Sequence, residues 1–335
     1  MKVLIVNQSE VRQLLPMSEC IEVMSEALKA LARGEAILPL RPVLWLPEKY
    51  GALGMMPSYL GDIKAMGLKV VSVFPHNHGT EYDSHQGAVL VFETLHGQLL
   101  SIIDSSSITG IRTGAVSGVA TNLLAREDAH TLAILGSGVQ ASSHLAAMLQ
   151  VRKIERVRVW SRNPEHSAHF VERASKRYGD VLVQALQTVG ETVDGADIIC
   201  TTTASPEPIL KGEWIAPGTH INAVGSSVPF TRELDTAAMV KAKLFVDRRE
   251  STINEAGDFL FAKKEGAISD DHILGEIGDL LLGKVKGRST PAEVTVFKSL
   301  GLAIEDLAAA NYVYKKAVET GMGTSIELGG ERDDD

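Results

Sequence analysis

The sequence predicts an α/β protein: a doubly wound parallel sheet inserted into a discontinuous α+β domain built from both chain ends. Three observations carry this. From residue 131 short apolar runs alternate with segments of helical spacing, the pattern of a parallel sheet. Before them, residues 40–104 hold short β-rich runs punctuated by Gly, Pro and Asn. At the end, an apolar stretch of helical spacing is expected to pack back on the first region.

The elements follow in order. "EVRQLLPMSECIEVMSEALKALARG" has helical spacing broken near Pro16, with Ser18 as N-cap and Gly34 as stop. "RPVLWLP", "GALGMMPSYL", "GLKVVSVFP", "GAVLVFET" and "QLLSIIDS" read as an antiparallel sheet, "HGQLL" being a hairpin return. "SSSITGIRTGAVSGVATNLLA" reads as a helix capped by one of Ser105 to Ser107. Then come the strands "TLAILG", "RVRVWS", "VLVQAL", "ADIICTTT", "THINAVG" and "AKLFVD", with helices between the first of them. From about 293 the chain is expected to turn helical, in "EVTVFKSLGLAIEDLAAANYVYKKAVETG".

At 335 residues the chain is long enough for two cores. Its 44% apolar and 22% charged residues suit a soluble globular protein. No apolar run reaches the roughly 18 residues of a membrane span, and the N-terminus lacks the shape of a secretion signal. A cytoplasmic location is expected. Cys20 and Cys200 sit in apolar surroundings without CxxC or histidine spacing, so they read as buried thiols in a reducing compartment, and no metal site is expected. The net charge of −9, part of it in a terminal "ERDDD" read as a solvated tail, argues against nucleic acid as a partner.

"LGSGVQASSH" places Gly136, Gly138 and Ala141 in a G-x-G-x-x-[GA] pattern directly after a buried strand and at the mouth of a helix. Gly136 permits the sharp turn, Gly138 lets backbone approach a pyrophosphate, and the helix N-terminus near Val139 offers free amides. The context favours a Rossmann dinucleotide site over a merely structural turn. An NAD site puts an acid at the tip of the next strand, to bond the ribose hydroxyls. Here that strand ends in Ser161-Arg162-Asn163, where a serine and an arginine suit a 2′-phosphate, so NADP(H) is favoured and NAD(H) is left open. The expected cofactor contacts are Gly136, Ser137, Gly138, Val139, Gln140, Ser161, Arg162, Asn163, Thr202, Val224 and Ser226.

Three cations in the first region, Arg41, Lys69 and Arg112, have the chemistry of a carboxylate site. Guanidinium groups fork onto carboxylates, and a lysine inside an apolar strand shifts its pKa to trade protons. Each alone is more often a surface or salt-bridging residue.

"RP" at 41, "GLKVV" at 67, "SHQGAVLVFE" at 84, "SITGIRTGAVSG" at 107, "LGSGVQASSH" at 135, "INAVGSSVPFTREL" at 221 and "TVFKSLGLAIEDLAAA" at 295 together resemble the ornithine cyclodeaminase and mu-crystallin family, over residues 10 to 320. The resemblance implies a substrate and dimerisation domain, 1–118 with 298–335, an inserted Rossmann domain, 119–297, and a homodimer. It also implies that Arg41, Lys69 and Arg112 line the substrate pocket and engage an amino-acid carboxylate. Cyclodeaminases carry a glutamate two residues before Met-Pro and an aspartate in Gly-Asp-x-Pro; this chain has Gly54 and Ser227 there. Both replacements look like the mu-crystallin ketimine reductases.

The expected activity is therefore NAD(P)H-dependent reduction of a small 2-imino acid, such as pyrroline-2-carboxylate or piperideine-2-carboxylate. Lys69, Arg112 and Ser227 are the expected catalytic residues, with Arg41, Lys69, Arg112 and His85 binding substrate. Alanine or N-alkyl amino-acid dehydrogenation, ornithine cyclodeamination and cofactor binding without turnover stay open as alternatives.

Overall fold

In the computed structural model residues 1–77 and 80–330 are described; the "ERDDD" terminus lies outside them. The chain divides into two compact units, Met1–Arg112 with Leu302–Asp335, and Thr113–Gly301.

The first unit opens with β1 Lys2–Val6, α1 Gln8–Leu14 and α2 Met17–Ala32. Asn7 starts α1 with a capping box. Its Oδ1 accepts from the Ser9 and Glu10 amides at 2.9 and 3.1 Å, while Glu10 accepts the Asn7 amide at 2.8 Å. The N-cap of α2 is Pro16, not Ser18, which already lies in the first turn. Proline has no amide with which to prolong α1, and its fixed φ leads into the new helix.

Five strands and one helix start follow a short β2, Ala36–Ile37: β3 Val43–Trp45, β4 Ala52–Leu60, β5 Ala65–Val73, β6 His85–Glu93, β7 Leu99–Asp104 and α3 Ser105–Leu124. The cap of α3 is Asp104 and not one of Ser105 to Ser107. Its Oδ1 accepts the Ser107 amide at 2.8 Å, and a carboxylate suits the positive end of a helix.

The second unit alternates strand and helix: β8 Thr131–Leu135, α4 Val139–Val151, β9 Arg156–Trp160, α5 Pro164–Arg177, β10 Leu182–Ala185, α6 Val189–Val193, β11 Ile198–Thr201 and β12 His220–Ala223. It continues with α7 Thr236–Lys241, β13 Lys243–Val246, α8 Arg249–Glu255, α9 Gly257–Lys264, β14 Ile273–Glu276, α10 Ile277–Leu281 and β15 Thr295–Lys298. The segment from 293, expected to be helical, thus begins as a strand. Its Thr-Val-Phe-Lys is rich in strand-forming residues, and parallel pairing with β12 and β13 settles its conformation. The helix α11 Ala303–Thr320 starts only after Gly301 and, with β16 Thr324–Glu327, belongs to the first unit.

The first unit's sheet runs β16-β1-β7-β6-β5-β4-β2, with β3 also on β4. Its pairs are antiparallel except β1 with β7. Helix α11 lies against β4, β5, β6 and α2, and every residue from Ala303 to Asn311 is buried. That approach depends on Gly67. A Cβ there would stand 2.7 Å from Leu307 Cδ1 and 2.7 Å from the Leu90 carbonyl oxygen.

The second unit's sheet runs β10-β9-β8-β11-β12-β15-β13-β14, every pair parallel. Strands β8, β11, β12 and β15 are buried along their whole length, as strands covered on both faces must be. Strand order reverses between β8 and β11, where open parallel sheets bind ligands beyond the carboxyl ends of their strands. Among the described residues no helix is long and apolar enough to cross a membrane.

Candidate active site

In the first unit, alternation along β5 turns Ala65, Gly67 and Lys69 toward α11. Because Gly67 admits α11, the acids beside Leu307 reach the lysine. Lys69 Nζ donates to both oxygens of Asp306, at 3.1 and 3.2 Å. Arg112, from α3, donates through Nε to Asp306 Oδ1 at 2.9 Å and through one terminal nitrogen to Glu305 Oε2 at 2.8 Å. Lys69 and Arg112 are each 4% exposed; Glu305 and Asp306 are fully enclosed.

Burial lowers the Lys69 pKa to about 8; Asp306 pulls it up, and Arg112 and Arg41 push it down again. Burial disfavours a charged Asp306, but Arg112 and Lys69 outweigh it and hold its carboxyl below the ordinary value. Cys20, on α2, has its thiol pushed up by burial and stays neutral.

The first unit therefore brings Lys69 and Arg112 together, with the charge of the half-buried Arg41 felt at Lys69. The two acids they meet were missed in the sequence. An adjacent Glu-Asp pair in the apolar "GLAIEDLAAA" was the available signal, because buried carboxylates need cationic partners. His85 is exposed at the start of β6. It pairs with Val73 while Lys69 pairs with Val89, so it sits four residues further along the same sheet face. Its Nδ1 lies 3.0 Å from Ser84 Oγ, and its carbonyl accepts from Ser106. Gly54 is buried on β4 and shares Lys69's side of the sheet, two residues from Met56, which pairs with Lys69. At that point β4 offers the cluster no carboxylate.

The glycine turn belongs to the second unit. Gly136 has φ +121°, and a Cβ there would lie 2.6 Å from Thr202 Oγ1, so the turn admits glycine alone. Thr202 fixes the same corner, donating from its amide to the Leu135 carbonyl at 2.8 Å. A Cβ on Gly138 would meet nothing within 4 Å. Packing does not require a glycine there, whereas a pyrophosphate lying close to the backbone does. Gly138 is the N-cap of α4 and brings no side chain to the first-turn amides, and Val139 is exposed. The loop fits a dinucleotide.

Ser137 Oγ donates to Ser161 Oγ at 3.1 Å, joining the glycine turn to the tip of β9. Arg162 is exposed, and the Asn163 side chain caps α5 by accepting from the Glu165 amide at 3.0 Å. Gln140 and Thr202 are half-buried, Val224 is buried, and the Ser226 hydroxyl turns inward to the Thr231 carbonyl. Ser227 is half-buried in the loop after β12.

That loop is tied down by an acid the sequence reading overlooked. Glu233 accepts from Thr201 Oγ1 at 2.7 Å, from the Thr203 amide and hydroxyl at 2.6 and 2.7 Å, and from the Gly225 amide at 2.8 Å. Asp258 Oδ1 accepts the Glu233 and Leu234 amides, and its other oxygen lies 2.9 Å from Lys298 Nζ at the end of β15. Glu233, Asp258 and Lys298 are all enclosed. They hold the carboxyl ends of β11, β12 and β15, where ligands bind on such a sheet.

A sequence profile described as the ornithine cyclodeaminase/mu-crystallin family matches residues 1–321. A Delta(1)-pyrroline-2-carboxylate reductase of Bacillus thuringiensis subsp. konkukian is 37% identical over 326 residues, covering 97% of this chain and all of the relative. The ketimine reductase mu-crystallin of Mus musculus is 42% identical over 281 residues, covering 84% of this chain and 85% of the relative. The structure of Thermococcus litoralis Delta(1)-pyrroline-2-carboxylate reductase, in complex with NADH and L-proline, superposes with a TM-score of 0.94 at 40% identity, covering 96% of this chain and 99% of that one. By motif, fold and length alike, the chain belongs to the ornithine cyclodeaminase/mu-crystallin family.

Proposed function

We propose that the chain uses a nicotinamide cofactor to reduce a cyclic 2-imino acid, pyrroline-2-carboxylate or piperideine-2-carboxylate, giving proline or pipecolate. The observation that carries this reading is the buried Lys69, with a pKa lowered to about 8 and Arg112 beside it. An ammonium of that strength is charged at neutral pH yet readily gives up a proton, the requirement for a general acid. The reductase names of the two relatives and the L-proline of the solved one support the same substrate class.

In this reading Arg41 and Arg112 grip the substrate carboxylate. Lys69 gives its proton to the imine nitrogen, and the iminium carbon becomes electrophilic. The glycine turn at Gly136 and Gly138 would hold a nicotinamide cofactor, which when bound would supply the hydride that the iminium carbon accepts. The C=N bond becomes CH–NH, Lys69 is left neutral, and solvent returns its proton. Orientation of the planar imino acid is the protein's main contribution. Ser227 and His85 serve as further contacts of the site.

The cofactor side of the proposal is NADP(H). The tip of β9 carries Ser161 and Arg162 and no acid, which suits a 2′-phosphate. NADH in the solved relative keeps NAD(H) within the range tested. A homodimer is part of the proposal, supported by the exposed Ile37, Leu44, Trp45, Leu53 and Met66 along β2 to β5. So is a cytoplasmic location, supported by two buried free thiols.

The test is NADPH oxidation with pyrroline-2-carboxylate, piperideine-2-carboxylate, pyruvate plus ammonia, and pyruvate plus methylamine, repeated with NADH. Turnover is expected to be highest on a cyclic imine with NADPH. Turnover confined to the pyruvate mixtures, or none at all, contradicts the reading.

A further inference from the structure

Lys69 acts only while it carries a proton, and little around it favours that state. Its ladder neighbours, Met56 on β4 and Val89 on β6, are uncharged. Arg112 from α3 and Arg41 from the segment before β3 bring positive charge, and Cys20 from α2 is a neutral thiol. Among the described residues the negative charge felt at Lys69 is that of Asp306 on α11, and Glu305 next to it is bound to Arg112. A buried ammonium facing cations alone would lose its proton.

Asp306 meets Lys69 with both oxygens and meets Arg112 Nε with Oδ1, so one carboxylate fixes the spacing of two cations. Glu305, one residue earlier, holds the other arm of the Arg112 fork. We propose that Asp306 is the positioning residue of the site: it keeps the Lys69 ammonium charged and aligned with Arg112, while Glu305 locks the guanidinium in plane. This rests on the reading of Lys69 as proton donor and adds its control. Both oxygens of Asp306 are engaged by Lys69 and Arg112. Its effect runs through Lys69, where the Asp306 carboxylate is the strongest influence opposing burial.

The test is a pH titration of the protein labelled with 13C at lysine Cε, the Lys69 resonance being assigned by its loss in Lys69→Met. In Asp306→Asn the Lys69 midpoint is expected to fall by at least one pH unit, and in Asp306→Glu to return toward the unmutated value. The alkaline limb of kcat on pyrroline-2-carboxylate should move down with it. A merely structural role would lower kcat at every pH and leave the midpoint in place, and that result overturns the proposal. Should Asp306→Asn not fold, the charge-balanced double variant Asp306→Asn/Arg112→Gln serves; its midpoint is expected to fall, and an unchanged or higher one overturns the proposal. If the unmutated protein reduces no imine, the proposed function fails, while the Lys69 titration still decides the role of Asp306.

Discussion

Lys69 and Asp306 stand 237 residues apart in the chain and meet at 3.1 Å, with 4% and 0% of their side chains exposed. On the proposed mechanism, replacing Lys69 by Met removes the proton donor and leaves Asp306 paired with Arg112. We expect kcat on a cyclic imino acid to fall about 100- to 10,000-fold, the usual worth of a general acid. NADPH affinity, read by fluorescence titration, should stay within about twofold. Retained turnover would exclude Lys69 as the donor.

Arg162 is exposed at the tip of β9, where Ser161 accepts from Ser137 of the glycine turn. A charge-assisted pair with a 2′-phosphate contributes about 1.5–3 kcal/mol, so Arg162→Ala should weaken NADPH roughly 10-fold or more. NADH affinity should not change. Equal losses for both cofactors would show that Arg162 does not read the phosphate.

Two enclosed histidines make the second unit sensitive to acid. Burial lowers the pKa of His220 to about 3 and that of His144 to about 4. Between those values and the ordinary 6.5 the unfolded chain takes up protons that the folded chain refuses, so stability is complete above pH 6.5 and drains away as pH falls. Each histidine adds a slope of about 1.4 kcal/mol per pH unit in that window. Thermal melts from pH 7 to 4 should show the decline, and His220→Gln should flatten it. A melting temperature independent of pH over that range would contradict the assignment.

Lys298 and Asp258 form an ion pair with both side chains fully enclosed. Breaking such a pair leaves an uncompensated charge and costs about 3–5 kcal/mol. Lys298→Met should lower the denaturant midpoint accordingly. It should also weaken cofactor binding, because Asp258 holds the Glu233 and Leu234 amides and Glu233 in turn holds Gly225. A variant as stable as the parent would remove this network from the account.

Much of the fold was legible because its signals are local. The buried runs of β8, β11 and β12, the Gly136 turn and the alternation of β4 to β6 each show within a dozen residues. What escaped depends on distant partners. β15 reads like the start of the following helix until β12 and β13 are placed on either side of it. β16 is exposed at every residue and carries no alternation, so only its pairing with β1 makes it a strand. The same division holds at the site. Lys69 and Arg112 stood out as cations among apolar or small residues, while Asp306, Glu305, Glu233 and Asp258 acquire meaning only from the partners that packing gives them.

The most direct test follows the transferred hydrogen. Pyrroline-2-carboxylate incubated with the protein and NADPH deuterated at both C4 positions should yield proline carrying one deuterium, at Cα, in step with cofactor oxidation. Proline without the label, or cofactor oxidised with no amino acid formed, would contradict hydride transfer to the imine carbon.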